Sequence, residues 1–428
     1  MISAQFKPSK WTFLFLMLSA MMILMGGAAV APALPLISAA FPDATDTSIS
    51  LIVTLPALAI AITGIFLGIL SDKIGKIRVL AASVAVFTIA GSSGYYLTTI
   101  PAILAGRFFL GVGIAGIICT TSALIVCYYD GVTRARVLGY QAAAMGVGVL
   151  ILEVAGGLLA GISWRAAFLI YLLGVIIFFG VLLTMKEPVR RHEEIVAAPG
   201  ETRAVPDETA AVPGDTFPVT PLLLAYITLF MGNLLFFLMP TKFPYLIANM
   251  EAARVLGENT ALTAGIFLGI GGCASAVLGI FYGRIAWRFH RYAILTVTLL
   301  AFGTGLCILG FATSLVMVGI AVILVGIGEG LLMPTILTWI AAITPQQFLG
   351  RAMGGFSVSL NIGQFASALA VVPVIALVAT YGNMFLVFGC VALVLAVPYL
   401  AALIKEKYSP SVTAARNTEM TAPGAGPR

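Results

Sequence analysis

Charge is scarce in this chain. Only 9% of its 428 residues are Asp, Glu, Lys or Arg, against roughly 25% in an average soluble domain. That is too few to coat a water-exposed globule of this size. Histidine is scarcer still: His192 and His290 fall in hydrophilic stretches, so no membrane-embedded histidine supports metal or nucleophilic chemistry. The five cysteines, Cys119, Cys127, Cys273, Cys307 and Cys390, lie within or at the ends of apolar runs and form no CxxC pair. A disulfide framework or a zinc site is therefore not expected. No GxxxxGK[ST] sequence occurs, so a P-loop does not supply ATP energy. The expectation is a non-enzyme without metal or cofactor.

What is present is apolar: 61% of the residues are hydrophobic, in runs of about 20, the length that crosses roughly 30 Å of hydrocarbon. The runs do not alternate as barrel strands do, so they read as helices, which satisfy their own backbone in lipid. Twelve spans are expected, at 12–37, 49–70, 79–98, 102–126, 137–161, 164–185, 221–247, 261–282, 292–312, 315–341, 352–378 and 382–404. The first exceeds a signal-peptide core and contains Pro32 and Pro35, so it reads as a span, not a leader.

Twelve spans put alternate loops on alternate faces. One face then collects 19 of the 23 Lys and Arg residues, leaving Arg107, Arg165, Lys242 and Arg254. Basic loops stay in the cytoplasm, so both termini are expected there, and the net charge of +6 reflects topology and not nucleic-acid binding. The division reads as a bundle over 1–185, a flexible linker over 186–220, a second bundle over 221–404 and a disordered tail over 405–428.

The halves repeat each other. A shift of 215 residues brings Gly111-Val-Gly113 onto Gly326-Ile-Gly328, Arg136 and Gly139 onto Arg351 and Gly354, and Gly148 onto Gly363. A shift of 211 places Gly68-Ile-Leu against Gly279-Ile-Phe, ahead of basic loops at 73–78 and 284–291. Two bundles related about the membrane normal enclose a shared cavity that rocking exposes to each side in turn. Close helix packing accounts for repeated glycines but not for repeated loop chemistry.

The loop after span 2 reads Gly68-Ile-Leu-Ser-Asp72-Lys73-Ile-Gly75-Lys76-Ile-Arg78, span 4 contains Arg107-Phe-Phe-Leu-Gly111-Val-Gly113, and span 1 carries Gly26 with Pro32 and Pro35. In these residues the chain resembles the major facilitator superfamily, within it the twelve-helix drug:proton antiporters. The resemblance implies two pseudo-symmetric six-helix bundles, with spans 1, 4, 7 and 10 around the cavity. The antiporter signature of span 5 is half present: Gly148 and the pair Gly156-Gly157 match, while Glu153 stands in place of a proline. Gly26, Pro32, Pro35, Gly148, Gly156 and Gly157 are taken as hinge or packing positions.

Each candidate site also has a reading from its own chemistry. Asp72, among Lys73, Gly75, Lys76 and Arg78, can act as a latch by pairing with a cation or helix end in one conformation and releasing it in another. An ordinary basic loop would explain the cations but not Asp72 and Gly75. Arg107 within span 4 needs a partner, since a cation there costs about 2.5–3.5 kcal/mol. Glu153 at comparable depth is the expected one, directly or through water, in a proton-loading or a static pair. Glu329, between Gly328 and Gly330 in span 10, suits a proton carrier, a counter-charge for a cationic cargo, or a hydrogen-bonded packing acid. Met25, Asn233, Phe236, Phe237, Asn361 and Gln364 are weaker cavity candidates, with Met21 and Met22 beside Met25. Pro240 and Pro244 mark a flexing point in span 7.

The expected function is alternating-access transport at the plasma membrane, coupled to protons, exporting a small lipophilic neutral or cationic molecule. The alternative is a symporter or uniporter importing a metabolite. A membrane sensor lacks a signalling domain. The expected partners are the small-molecule cargo, protons and the bilayer, with the protein monomeric.

Overall fold

The computed structural model describes residues 8–188, 218–250, 259–345 and 348–407, all helical or in short turns. The expected linker and tail lie outside these residues apart from their edges, as do Lys7, Arg190, Arg191, His192, Arg203, Arg254, Arg416 and Arg428. Among the described residues, eleven helices are long and apolar enough to cross a membrane, and a bent pair, Lys10–Met22 with Met25–Ala40, raises the number to twelve if it is one span. Their outward faces are apolar: Phe66, Leu183, Ile280 and Leu377 are 68%, 83%, 69% and 85% exposed. Such a belt is stable only against lipid.

The first span, expected as one helix over 12–37, is instead four pieces. They are α1 (Lys10–Met22), α2 (Met25–Ala28), a 3-10 turn (Ala31–Ala33) and α3 (Leu34–Ala40), with a bend of 53°. The cause is local. Gly26 and Gly27 are weak helix formers, and Pro32 and Pro35 bring no N–H. The Val30 N–H turns back to the Gly27 carbonyl at 3.2 Å, which leaves the Gly26 carbonyl without its α-helical donor.

The first half continues with α4 (Asp46–Ile74), α5 (Lys76–Ser92), α6 (Ile100–Tyr128), α7 (Gly131–Ile162) and, after a 3-10 start over Ala166–Leu172, α8 (Leu173–Thr184). The second holds α9 (Val219–Asn249), α10 (Thr260–Arg288), α11 (Arg291–Gly310), α12 (Leu315–Ile343), α13 (Leu349–Val378) and α14 (Tyr381–Lys407). α9 runs through Pro240 and Pro244 as one continuous helix. A 29-residue helix spans about 43 Å, enough to cross the hydrocarbon and reach both interfaces.

The internal repeat is visible in the helix bounds. α6 and α12 are both 29 residues long and sit 215 apart (100 to 315, 128 to 343). α4 and α10 are also both 29 residues, at an offset of 214 (46 to 260, 74 to 288). The offset of 211 read from Gly68 and Gly279 is therefore corrected. Local similarity of Gly-Ile pairs outweighed the longer register there.

Within the first half α4 and α5 pack on α6; within the second, α11 packs on α12 and α14. Between halves α7 lies against α10, and α13 against α4, two contacts related by the pseudo-twofold. Near Gly157 and Gly265 the α7–α10 seam is backbone on backbone, while farther along it Leu150 and Val149 seat against Gly269 and Gly272. A Cβ on Gly157 would lie 2.6 Å from the Ala261 carbonyl oxygen, and one on Gly265 would strike the Glu153 carbonyl. Gly156 backs in the same way onto the Ala29 carbonyl of the broken first span, and Gly148 onto the Met21 side chain.

Close approach also joins α4 to α6, where a Cβ on Gly111 would lie 2.7 Å from Pro56 Cα. Gly111→Val is expected to destabilise the protein by about 1–3 kcal/mol through overpacking, read as a lower midpoint in thermal unfolding of detergent-purified protein. An unchanged midpoint would show that α4 and α6 do not meet at this residue.

Candidate functional site

A cavity of about 630 Å³ lies between the halves. Glu153 on α7, Phe236 and Phe237 on α9, Glu329 on α12, and Asn361 and Gln364 on α13 belong to its wall, along with Gly26 and Gly27 of the broken first span. The wall extends to Leu138 and Met353, near the starts of α7 and α13 on the face that carries the termini. Gly139 and Gly354 there have no atom within 4 Å of an added Cβ, so this end is loosely packed.

The opposite end is closed by contacts between halves. The Lys242 ammonium on α9 donates to the carboxylate of Asp46, the first residue of α4. Lys242 is only 1% exposed, and its Nζ lies 5.3 Å from the ring centre of Tyr245 and 6.0 Å from that of Tyr381. Those two rings stack at 5.3 Å, and the Tyr245 hydroxyl donates to the Leu34 carbonyl at 3.3 Å. A buried ammonium is tolerable only when paired and solvated by such groups.

Arg107 is 1% exposed, and its partners are not the expected one. Its Nε donates to the Ile52 carbonyl at 2.6 Å, Nη1 to the Tyr171 hydroxyl at 2.8 Å and Nη2 to the Gly26 carbonyl. The Tyr171 hydroxyl donates in turn to the Met25 carbonyl at 3.0 Å. The Ile52 carbonyl would normally receive the N–H four residues on, but that residue is Pro56. Gly26 lost its donor to the break after α2. The guanidinium thus fills two backbone vacancies that lipid could not satisfy. No ion pair joins Arg107 to Glu153 among the described residues; its fork is already committed to carbonyls.

Glu153 and Glu329 share a different feature. Oε2 of each is buried without a hydrogen-bond partner among the described residues. Glu153, on the first half, is 6% exposed; Glu329, on the second, is half-buried. Two carboxyls from different halves therefore border one cavity that has no Lys, Arg or His among its described lining residues. An unsatisfied carboxyl in such a place invites a proton or a cation.

A sequence model of the Major Facilitator Superfamily matches residues 16–289 and 257–424. The chain belongs to the major facilitator superfamily. Among curated relatives, the multidrug efflux protein YfmO of Bacillus subtilis is 33% identical over 145 residues, 34% of this chain and 36% of that protein. The class C tetracycline resistance protein of Escherichia coli is 39% identical over 104 residues, 24% and 26% of the two chains. The riboflavin transporter RibZ of Clostridioides difficile is 25% identical over 195 residues, 45% and 42% of the two chains. These alignments span less than half of each relative. A solved structure of the nucleoside transporter NupG, in a point-mutant form, superposes with a TM-score of 0.75 at 14% identity, covering 91% of this chain and 99% of its own. This likeness shows the fold alone.

As a member of this superfamily, the protein places its signature loop at the end of α4. Asp72 bonds Lys76 at 3.1 Å, and Gly75 takes φ +109°, a left-handed turn that favours glycine. Arg78 caps the Ile74 carbonyl at 3.5 Å. Glu187, which the sequence reading passed over, accepts from the N–H groups of Lys76 at 2.5 Å and Ile77 at 2.9 Å. A carboxylate suits a helix N-terminus, but 110 residues separate Glu187 from Ile77, and no local pattern reveals that pairing.

Two cavity candidates are corrected. Met25 is 1% exposed within the core, because the break turns its carbonyl, not its thioether, to functional use. Asn233 is fully buried. Its Nδ2 donates to Leu229 at 3.1 Å, and its Oδ1 accepts from Gln364 at 3.4 Å, so it supports the wall from behind. Met21 and Met22 also lie off the cavity wall.

Proposed function

We propose that this protein exports small lipophilic neutral or cationic molecules across the plasma membrane in exchange for protons, with both termini in the cytoplasm. The observation that carries the reading is the pair of unpartnered carboxyl oxygens, one from each half, bordering a single cavity closed at one end. The names of two partial relatives, a multidrug efflux protein and a tetracycline resistance protein, support the direction. The second reading is uptake of a small metabolite; a further partial relative named as a riboflavin transporter supports a metabolite as cargo without indicating direction.

In the proposed cycle the units over 1–185 and 221–404 rock as bodies, with a monomer sufficient. Cargo enters from the loosely packed cytoplasmic end. The Asp46–Lys242 contact parts, the far end opens and cargo leaves as protons take its place on the carboxyls. Proteoliposomes with an imposed pH gradient test the direction: cargo and protons are expected to move oppositely. Movement in the same direction establishes the uptake reading.

The outer contact gives a separate prediction. Asp46→Asn is expected to favour the outward-open form, raising several-fold the labelling of Phe237→Cys by an impermeant thiol reagent added outside cells lacking the native cysteines. Unchanged labelling would mean that Asp46 does not hold the far end shut.

A further inference from the structure

The cavity's polar groups have an uneven chemistry. Among the described residues its lining includes two carboxyls, Glu153 and Glu329, and no Lys, Arg or His. The remaining polar side chains are Ser122, Gln141, Ser357, Asn361 and Gln364. Two of the amides spend N–H donors on the protein: Asn361 Nδ2 donates to the Ser357 carbonyl at 2.8 Å and Gln364 Nε2 to Asn233 Oδ1 at 3.4 Å. Their oxygens are left as acceptors for a ligand. Pro240, one turn beyond Phe236, has no N–H to give the Phe236 carbonyl, and Phe236 is part of the wall. Each of those amides keeps one further N–H, and neutral donors are present, but among the described lining residues the charged groups are all carboxyls and none is a cation.

The two carboxyls also differ in reach. Glu153 is nearly fully buried on α7, and its own carbonyl abuts Gly265 across the seam. Glu329 is half-buried at mid-length of α12, beside a wall that includes Phe236, Phe237, Met333 and Phe356. A cargo with an apolar body and a charged end reaches Glu329 more readily than Glu153.

From this we infer that the cargo is an amphiphilic amine whose cationic head carries N–H donors, a primary or secondary ammonium, with Glu329 as the residue that selects it. The inference rests on the export reading only for the location of the site. A carboxylate bonds an N–H of the ammonium directly, a charge-assisted bond about twice as strong as a neutral one. Neighbouring amide oxygens and backbone carbonyls take its remaining hydrogens. A quaternary ammonium offers no hydrogen to any of these acceptors. It keeps only its Coulomb attraction and its contact with Phe236 and Phe237, whose rings meet edge-on at 5.9 Å and do not form an enclosing cage. An anion meets two carboxyls and no cation.

The test is a headgroup series on one tail: phenylbutylamine, its trimethylammonium analogue and phenylvalerate, titrated into the purified full-length protein at neutral pH. The amine is expected to bind about tenfold more tightly than its trimethylated analogue, the difference that hydrogen bonds to a charged group support. The carboxylate is expected not to bind measurably. Glu329→Gln should bring the two cations to within about twofold of each other. Equal or tighter binding of the trimethylated probe to the wild-type protein would overturn the inference without any mutant, as would binding of phenylvalerate. So would an amine preference that survives unchanged in Glu329→Gln. Gradient-driven movement of the same probes in proteoliposomes is scored separately. Amine preference without coupled export defeats the transport reading and leaves this one; coupled export without amine preference does the reverse.

Discussion

Glu153→Gln is expected to reduce pH-gradient-driven transport at least about tenfold, to the uncoupled background, while equilibrium exchange of cargo across proteoliposomes continues. Gln keeps the shape of a protonated carboxyl and cannot lose the proton, so a step that alternates between loaded and unloaded carboxyl is frozen in one state. In the proposed cycle this is where loading and rocking would meet. Glu153 Oε2 is buried and unpartnered, while the backbone of the same residue touches Gly265 of the other half. An ionised carboxyl there lacks a counter-charge, so closing the cavity around it is costly, and a proton or a cationic cargo removes that cost. Glu329→Gln should behave differently, weakening cargo binding more than coupling. The sign of the pH effect follows: in the wild-type protein, acid on the external face accelerates export, whereas Glu153→Gln should not respond. Normal pumping by both mutants would eliminate these acids as the coupling groups.

Arg107→Ala has the second large expected effect. The deletion leaves the Ile52 and Gly26 carbonyls and the Tyr171 hydroxyl without the guanidinium. Each buried acceptor left unsatisfied costs about 1–3 kcal/mol, so a loss of about 3 kcal/mol or more is expected, with membrane insertion retained and transport impaired. Arg107→Lys should not rescue it, because one ammonium cannot reproduce a planar fork reaching two carbonyls and a phenol at once. Had the arginine served to pair Glu153, the double substitution Arg107→Ala with Glu153→Ala would recover stability. Here the two effects, whatever the sign of the second, should simply add. Thermal unfolding of the four proteins decides: an unchanged midpoint for Arg107→Ala, or a double mutant more stable than the sum of the two single effects, would refute the assignment.

Much of this architecture is legible in the chain because the bilayer imposes a coarse rule. Long apolar runs mark the spans, and the 215-residue shift that aligns Gly111 with Gly326 also aligns the ends of α6 and α12. Pro32, Pro35 and Gly26 announced a weak point in the first span. The side chains that meet across the fold were not legible. Arg107 plainly needed a partner, and an acid was the natural expectation, yet Pro56 had created a carbonyl acceptor that ranked higher. That clue was available, since any proline inside a helix strands the carbonyl four residues before it. Which side chain would come to serve it was not. Lys242 and Asp46 lie 196 residues apart, and only the assembled halves bring them together. Asn233 and Met25 were misplaced for a simpler reason: in a helix surrounded by others, hydrophobic periodicity does not tell the wall from the core.

Backbone-on-backbone contact at Gly157 and Gly265 bears on how the two bodies would turn in the proposed cycle. Surfaces that interlock through side chains must disengage rotamers before they slide, and each disengagement is a step in activation energy. At this end the seam has no such teeth, whereas farther along α7 Leu150 and Val149 sit against Gly269 and Gly272. The toll on reorientation is then shared by those two side chains, the distal charge pair and whatever occupies the carboxyls. Turnover should accordingly respond to ions more steeply than to changes in lipid viscosity.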